Sequence, residues 1–164
     1  MRRLLVLVMI CIVPAVIDAP PALAAGTWTW PVLGPVIHGF DPPDSPYGSG
    51  HRGIDIAAPI GTPVTSAAPG IVSFAGPVGG RLFVSVDHGG GVVSSYSFLS
   101  AIGVRKGDTV ARGASLARSG EGHLGVTPTH LHLGVRVDGA YVDPLDYLAP
   151  PDVVTMIRLA PLAG

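Results

Sequence analysis

The residues of this chain that can do chemistry concentrate in two short stretches. The first is His51-Arg52-Gly53-Ile54-Asp55, an imidazole and a carboxylate four positions apart. In a straight strand those side chains would share a face but stand ~13 Å apart, too far to grip one ion. Gly53 permits a bend that would bring them together, and imidazole plus carboxylate is a donor set that zinc accepts. A polar turn with a satisfied aspartate accounts for the same residues, so both readings stand at this point. The second stretch is His130-Leu131-His132. On a strand, residues i and i+2 face the same way ~6.6 Å apart, so both rings can line one site with one of them on a metal, while Leu131 points into a core. Two imidazoles among apolar residues are costly to bury without partners. Taken together, His51, Asp55 and one ring of the pair make three ligands with an open fourth position. That is the arrangement of catalytic rather than structural zinc.

Such a site needs strands to carry it, and the pattern around it supplies them. Pro63-Val64-Thr65, Ile71 to Phe74, Leu82 to Val86, Val92 to Tyr96 and Leu131 to Val135 are short β-type runs. Pro69-Gly70, Gly79-Gly80, His88 to Gly91, Lys106-Gly107-Asp108 and Asp138-Gly139 are turns between them. Alternate aromatics in Trp28-Thr29-Trp30 predict a first strand, and residues 51 to 148 form the core of the domain. Outside the N-terminal segment no window keeps a helical period, apart from a weak one in the last fifteen residues. The predicted fold class is an antiparallel all-β single domain.

Met1 to Ala24 reads as an export leader. Arg2 and Arg3 precede an apolar run from Leu4 to Val16, and Ala22-Leu23-Ala24 has the small-x-small form of a cleavage site. The run is broken by Pro14 and is shorter than the ~20 apolar residues a spanning helix needs. This predicts a secreted or envelope protein with residues 1–24 removed, a domain over 25–149 and a tail over 150–164. Cleavage would also remove Cys11, the only cysteine, so the remaining chain has no disulfide and no thiolate ligand. Any metal must then be held by His, Asp or Glu. Charged residues make up 13% of the chain and the formal net charge is -1, which excludes charge-driven disorder and a basic nucleic-acid surface.

His51-Arg52-Gly53-Ile54-Asp55-Ile56-Ala57-Ala58, then Gly61-Thr62-Pro63-Val64 and Ala68-Pro69-Gly70-Ile71-Val72, resemble the first signature of the lysostaphin-type (LytM-type) zinc metalloendopeptidases, which cut bacterial cell-wall peptides. Val104 to Val110, Gly113 and Thr129-His130-Leu131-His132-Leu133-Gly134-Val135-Arg136 are similar to its later parts. The resemblance covers about residues 28 to 148, and the ordered combination carries it rather than any one fragment. It implies a fold of antiparallel sheets built around a duplicated hybrid motif. It implies His51, Asp55 and His132 as ligands of a Zn²⁺ cofactor, His130 as a neighbouring catalytic histidine, and peptidoglycan peptides as substrate.

One departure from that family weighs on activity. The family usually carries a further histidine in a Tyr-x-His-Leu element, and the matching stretch here is Tyr96-Ser97-Phe98-Leu99. Phe98 can neither donate to a developing oxyanion nor shuttle a proton, and loss of one such donor typically costs ~10²–10³ in rate. His123, in Gly120-Glu121-Gly122-His123-Leu124-Gly125, is a candidate catalytic replacement or else an exposed loop residue. His88 reads as a turn residue, and nothing singles out His38. Two other functions compete with the peptidase. One is a non-catalytic relative that binds the wall or activates an amidase partner. The other is a carrier domain, suggested by the Val104 to Val110 hairpin, but Lys106 lacks the expected Met neighbour.

Overall fold

Period-two alternation divides this chain into a core face and a site face. The computed structural model describes residues 26–45 and 48–150; the expected leader and all but the first residue of the 150–164 tail lie outside them. Ten strands follow in order: β1 (Val36–His38), β2 (Ile54–Ala57), β3 (Pro63–Thr65), β4 (Gly70–Val78), β5 (Arg81–Asp87), β6 (Val92–Ile102), β7 (Thr109–Val110), β8 (Ser115–Ser119), β9 (His130–Val137) and β10 (Ala140–Val142). The sheet runs β1-β2-β9-β6-β5-β4-β7, with β10 on β9 and the β3–β8 pair joined through β6. Every strand pairing is antiparallel, and the only helical element among the described residues is a 3₁₀ turn at Pro144–Asp146.

On β9, Leu131, Leu133 and Val135 are fully buried on one face; His130, His132 and Arg136 stand on the other. Ile54 and Ile56 of β2, Val84 and Val86 of β5, and Tyr96 of β6 join the same core. The β4–β5 hairpin closes on Gly79 and Gly80, both with positive φ, which is the two-residue turn that matches the twist of its strands.

The strands read from sequence are present, but β4 and β6 run several residues beyond the apolar segments that announced them. The expected first strand at Trp28 is a correction. Trp28 makes only an isolated bridge to Leu148, and the first strand is Val36–His38. Trp28 is instead a core plug, with its ring 4.6 Å from His88 and 5.0 Å from Tyr147.

His88 follows the end of β5, as its turn context predicts, but its ring folds inward and is buried. Nδ1–H donates to the Pro69 carbonyl at 2.7 Å, so Nε2 accepts from the Ser94 hydroxyl at 2.8 Å. Burial pushes its pKa below the usual imidazole value, against the opposing pull of the Pro69 carbonyl and Asp87. The folded protein therefore refuses a proton that the unfolded chain accepts, so this residue's contribution is complete above about pH 6.5 and shrinks as pH falls below it. Urea denaturation should show stability falling between pH 7 and pH 5. His88→Gln should flatten that slope relative to the wild type; an unchanged difference across the range would refute the assignment.

Candidate metal centre

Strand register builds the site. His38 of β1 pairs with Asp55 of β2, Asp55 with His132 of β9, and His132 with Ser97 of β6, forming one row across four strands. Paired residues share a face, so these side chains project together on the side opposite the core. His51 lies before β2, where its backbone exchanges two hydrogen bonds with Asp41. The bend at Arg52-Gly53 then turns its ring back toward Asp55. Gly53 is needed here for room rather than for φ, because a Cβ would meet the Leu133 carbonyl and the His132 ring.

Three donor atoms converge. His51 Nε2 lies 3.1 Å from Asp55 Oδ1 and 3.0 Å from His132 Nδ1, and His132 Nδ1 lies 2.9 Å from Asp55 Oδ1. Donors on one tetrahedral zinc with bonds of ~2.0–2.1 Å stand ~3.4 Å apart, so the trio needs to open by only a few tenths of an ångström. The donor chemistry also fits a cation. His51 Nδ1–H donates to the Gly39 carbonyl at 2.6 Å, which leaves a lone pair on Nε2 aimed at a carboxylate oxygen and a second imidazole nitrogen. Such a cluster is stable only with a proton or a metal ion among the lone pairs.

Asp55 is fully buried, which by itself would raise its pKa, but hydrogen bonds and charge from His132 and His51 hold it well below the usual carboxylate range. Burial lowers the His132 pKa against the pull of Asp55. His51 also loses solvation, yet Asp55 and the Gly39 carbonyl outweigh that loss and raise it.

Three further histidines complete the surroundings. His130 is fully buried; Nδ1–H donates to the Pro128 carbonyl at 3.0 Å, and Nε2 accepts from the His123 backbone N–H at 3.2 Å while lying 3.9 Å from Asp55 Oδ2. The His123 ring turns into the site, with Nε2 2.9 Å from Asp55 Oδ2. Its loop is pinned at a second point, where Arg81 Nη1 donates to the Gly122 carbonyl at 2.9 Å. His38, which the sequence did not single out, stacks on His51 with centroids 4.0 Å apart and has Nδ1 3.4 Å from Asp55 Oδ2. Only its register on a three-residue strand across a bulge places it there, a signal no local motif contains.

The centre opens onto a cleft of about 680 Å³. Ser85, Ser95 and Ser97 give it a polar floor, Phe74, Val78, Phe83 and Phe98 an apolar wall, and Arg136 and Tyr141 flank the other side. Phe98 has φ 61°, a costly value for a non-glycine residue, within a stretch of β6 where the register slips on both sides. Its ring lies 5.6 Å from Phe83, 5.5 Å from His123 and 6.1 Å from His132, under the Arg81 guanidinium at 5.4 Å.

A family model for peptidase family M23 matches residues 49–144. The lipoprotein NlpD/LppB homolog of Pseudomonas aeruginosa is 38% identical over 127 residues, 76% of this chain and 41% of that protein. The DD-carboxypeptidase/endopeptidase Mpg of Neisseria meningitidis serogroup B is 36% identical over 120 residues, 70% of this chain and 26% of that protein. The chain thus spans less than half the length of these two relatives. A solved zinc-containing peptidase from Vibrio cholerae superposes with a TM-score of 0.64 at 29% identity, covering 76% of this chain and 41% of that one.

Gly122 has φ 90°, and a Cβ there would strike the His130 ring. Gly122→Ala should therefore push the His123 loop off His130 and cost about 1–3 kcal/mol of stability through overpacking and backbone strain. Chemical denaturation measures this; a change below about 0.5 kcal/mol, the range of ordinary surface substitutions, would show that the loop is not held as described.

Proposed function

The chain belongs to peptidase family M23, the lysostaphin-type group, and from that premise we propose that it is a zinc-dependent endopeptidase hydrolysing peptide bonds of bacterial cell-wall peptidoglycan. The observation that carries this reading is the convergence of His51 Nε2, Asp55 Oδ1 and His132 Nδ1 within 3.1 Å of one another beside an open cleft. In this reading those three residues hold Zn²⁺, His123 and His130 are the catalytic imidazoles, and the protein acts in the cell envelope after export through residues 1–24. Residues 25–149 form the peptidase domain, and 150–164 a tail beyond it. Relatives named as a DD-carboxypeptidase/endopeptidase and as a lipoprotein support the substrate class and the envelope location.

Zinc, when bound, supplies a Lewis acid that lowers the pKa of water toward ~7 and polarises a peptide carbonyl. The chain's own groups do the rest. The Gly39 carbonyl fixes the His51 tautomer so that Nε2 stays free to ligate. Asp55 remains ionised across the working pH range. His123, partly exposed on the cleft side, holds a proton at Nε2 against Asp55 Oδ2 and is placed to pass it to a leaving amine or to donate to a developing oxyanion. His130, beneath it, accepts the His123 backbone N–H at Nε2 and so holds that ring in place beside Asp55. The apolar wall of Phe74, Val78, Phe83 and Phe98 lets an extended peptide exclude water from the scissile bond.

Phe98 favours a second reading, a non-catalytic relative that binds the wall or activates an amidase, because an aromatic ring occupies the position of the family's usual histidine. Mass spectrometry of muropeptides after incubation with zinc-loaded protein separates the two. Cleavage that stops on chelation and returns with zinc is expected. Intact muropeptides across wall types, from a protein with zinc bound, would transfer the assignment to the non-catalytic reading.

Asp55→Ala and His132→Ala should each abolish zinc retention, whereas His130→Ala should keep the zinc and slow turnover. Metal content and kinetics on the same preparations check this, and equal zinc loss in all three would contradict the separation of roles. His123→Ala should retain the ion on His51, Asp55 and His132 but lower turnover by about 10²–10³, the typical loss of one such donor. Phe98→His in that background should restore part of the loss. Unchanged turnover in His123→Ala would remove this residue from the mechanism.

A further inference from the structure

The two oxygens of Asp55 face different partners. Oδ1 meets His51 and His132, the pair that holds zinc in the reading above. Oδ2 meets His123 Nε2 at 2.9 Å and His38 Nδ1 at 3.4 Å. Ligand-type atoms of His38, His51, Asp55 and His123 all lie within 4.8 Å of one another. This group contains His51 and Asp55 but replaces His132 with two rings from outside the row's centre.

We propose that His38 Nδ1, His123 Nε2 and Asp55 Oδ2 form a second, weaker divalent-cation site of zinc type, with the Asp55 carboxylate bridging it to the first. The proposal rests on the reading that the first ion sits on His51, Asp55 and His132. Distance favours an ion over simple hydrogen bonding at His38: 3.4 Å exceeds the usual 2.7–3.2 Å of an N–H···O bond and matches the ~3.4 Å edge between donors on a tetrahedral zinc. Two imidazoles and a carboxylate are a borderline donor set, suited to Zn²⁺ and poorly suited to Mg²⁺ or Ca²⁺. Access is open, since the His38 side chain is 48% and the His123 side chain 26% exposed. Bridging carboxylates in two-metal sites hold ions ~3.5–4 Å apart. Repulsion between two dications at that spacing makes the second site the weaker one.

Filling the second site has a functional consequence. It occupies the Nε2 of His123, the imidazole assigned to proton transfer, so excess zinc converts an active chain into an inhibited one. His38 is then the residue that sets sensitivity to zinc without taking part in turnover.

The test is equilibrium dialysis of the protein against increasing free Zn²⁺, with bound metal counted by mass spectrometry and folding checked by circular dichroism. Two ions per chain, bound in two steps, are expected for the wild type, and one for both His38→Ala and His123→Ala. Turnover should fall by about 10²-fold, the usual worth of one acid–base group, as the second step fills, and His38→Ala should stay active at the same zinc concentration. Saturation at one ion with His38→Ala indistinguishable from wild type would overturn the second site and leave the first reading standing. Two ions whose second step survives both variants would also overturn it, by placing that ion elsewhere. A wild type that binds no zinc would overturn the reading beneath both.

Discussion

A carboxylate with no exposure to solvent is the constraint around which this molecule is arranged. Asp55 sits on β2, one strand in from the β1 edge, between Ile54 and Ile56, both fully buried. A charge taken out of water without compensation would cost several kcal/mol, enough to unfold a domain of ordinary stability. The fold answers with imidazoles from four separate places: His51 before β2, His132 on β9, His123 from a loop and His38 on β1. Each is itself tied down by backbone, either through strand register or through a hydrogen bond such as that from His51 to Gly39. Removing one imidazole leaves Asp55 with others, whereas removing Asp55 leaves several imidazoles facing each other with no anion. The carboxylate and not any one histidine therefore holds the site together.

Legibility from sequence follows how local each contact is. The His130-Leu131-His132 alternation was readable because strand geometry alone sends the two histidines to one face and the leucine to the other. His51 and Asp55 were readable as a pair, since one bend separates the straight-strand distance from the observed contact. Gly53 was singled out correctly but for a different reason: it clears space for the His132 ring instead of adopting an unusual φ. The all-β antiparallel class followed from Gly- and Pro-punctuated runs. His38 was invisible, because its place depends on how β1 registers against β2 across a bulge, and three residues carry no pattern. Trp28 misled because alternating aromatics look like a strand edge, while the ring is in fact a plug between His88 and Tyr147. The inward turn of His88 was equally hidden, since its partners Pro69 and Ser94 come from different segments.

Phe98 and His123 are best understood together. A histidine at position 98 would present its ring from β6, held by strands on both sides. Here the backbone at 98 takes φ 61° and delivers a phenyl ring into the cleft, where Arg81 covers it and the His123 ring packs beside it. The same Arg81 donates to the Gly122 carbonyl, so one guanidinium holds both the phenyl ring and the loop that brings His123 in. An imidazole delivered by a loop differs from one on a strand in a physical respect. Its position depends on a few contacts that can break without unfolding the sheet, namely the Arg81 to Gly122 bond and the His123 N–H to His130 bond. The His123 ring is thereby uncoupled from the rigid core that fixes His51, Asp55 and His132. The geometry of that trio and the placement of His123 then respond to different parts of the structure, the first to strand register and the second to the Arg81 clamp. In the peptidase reading, a peptide lying along the wall of Phe74, Phe83 and Phe98 would touch the clamp's own aromatic partner, so its binding would bear directly on the loop that carries His123.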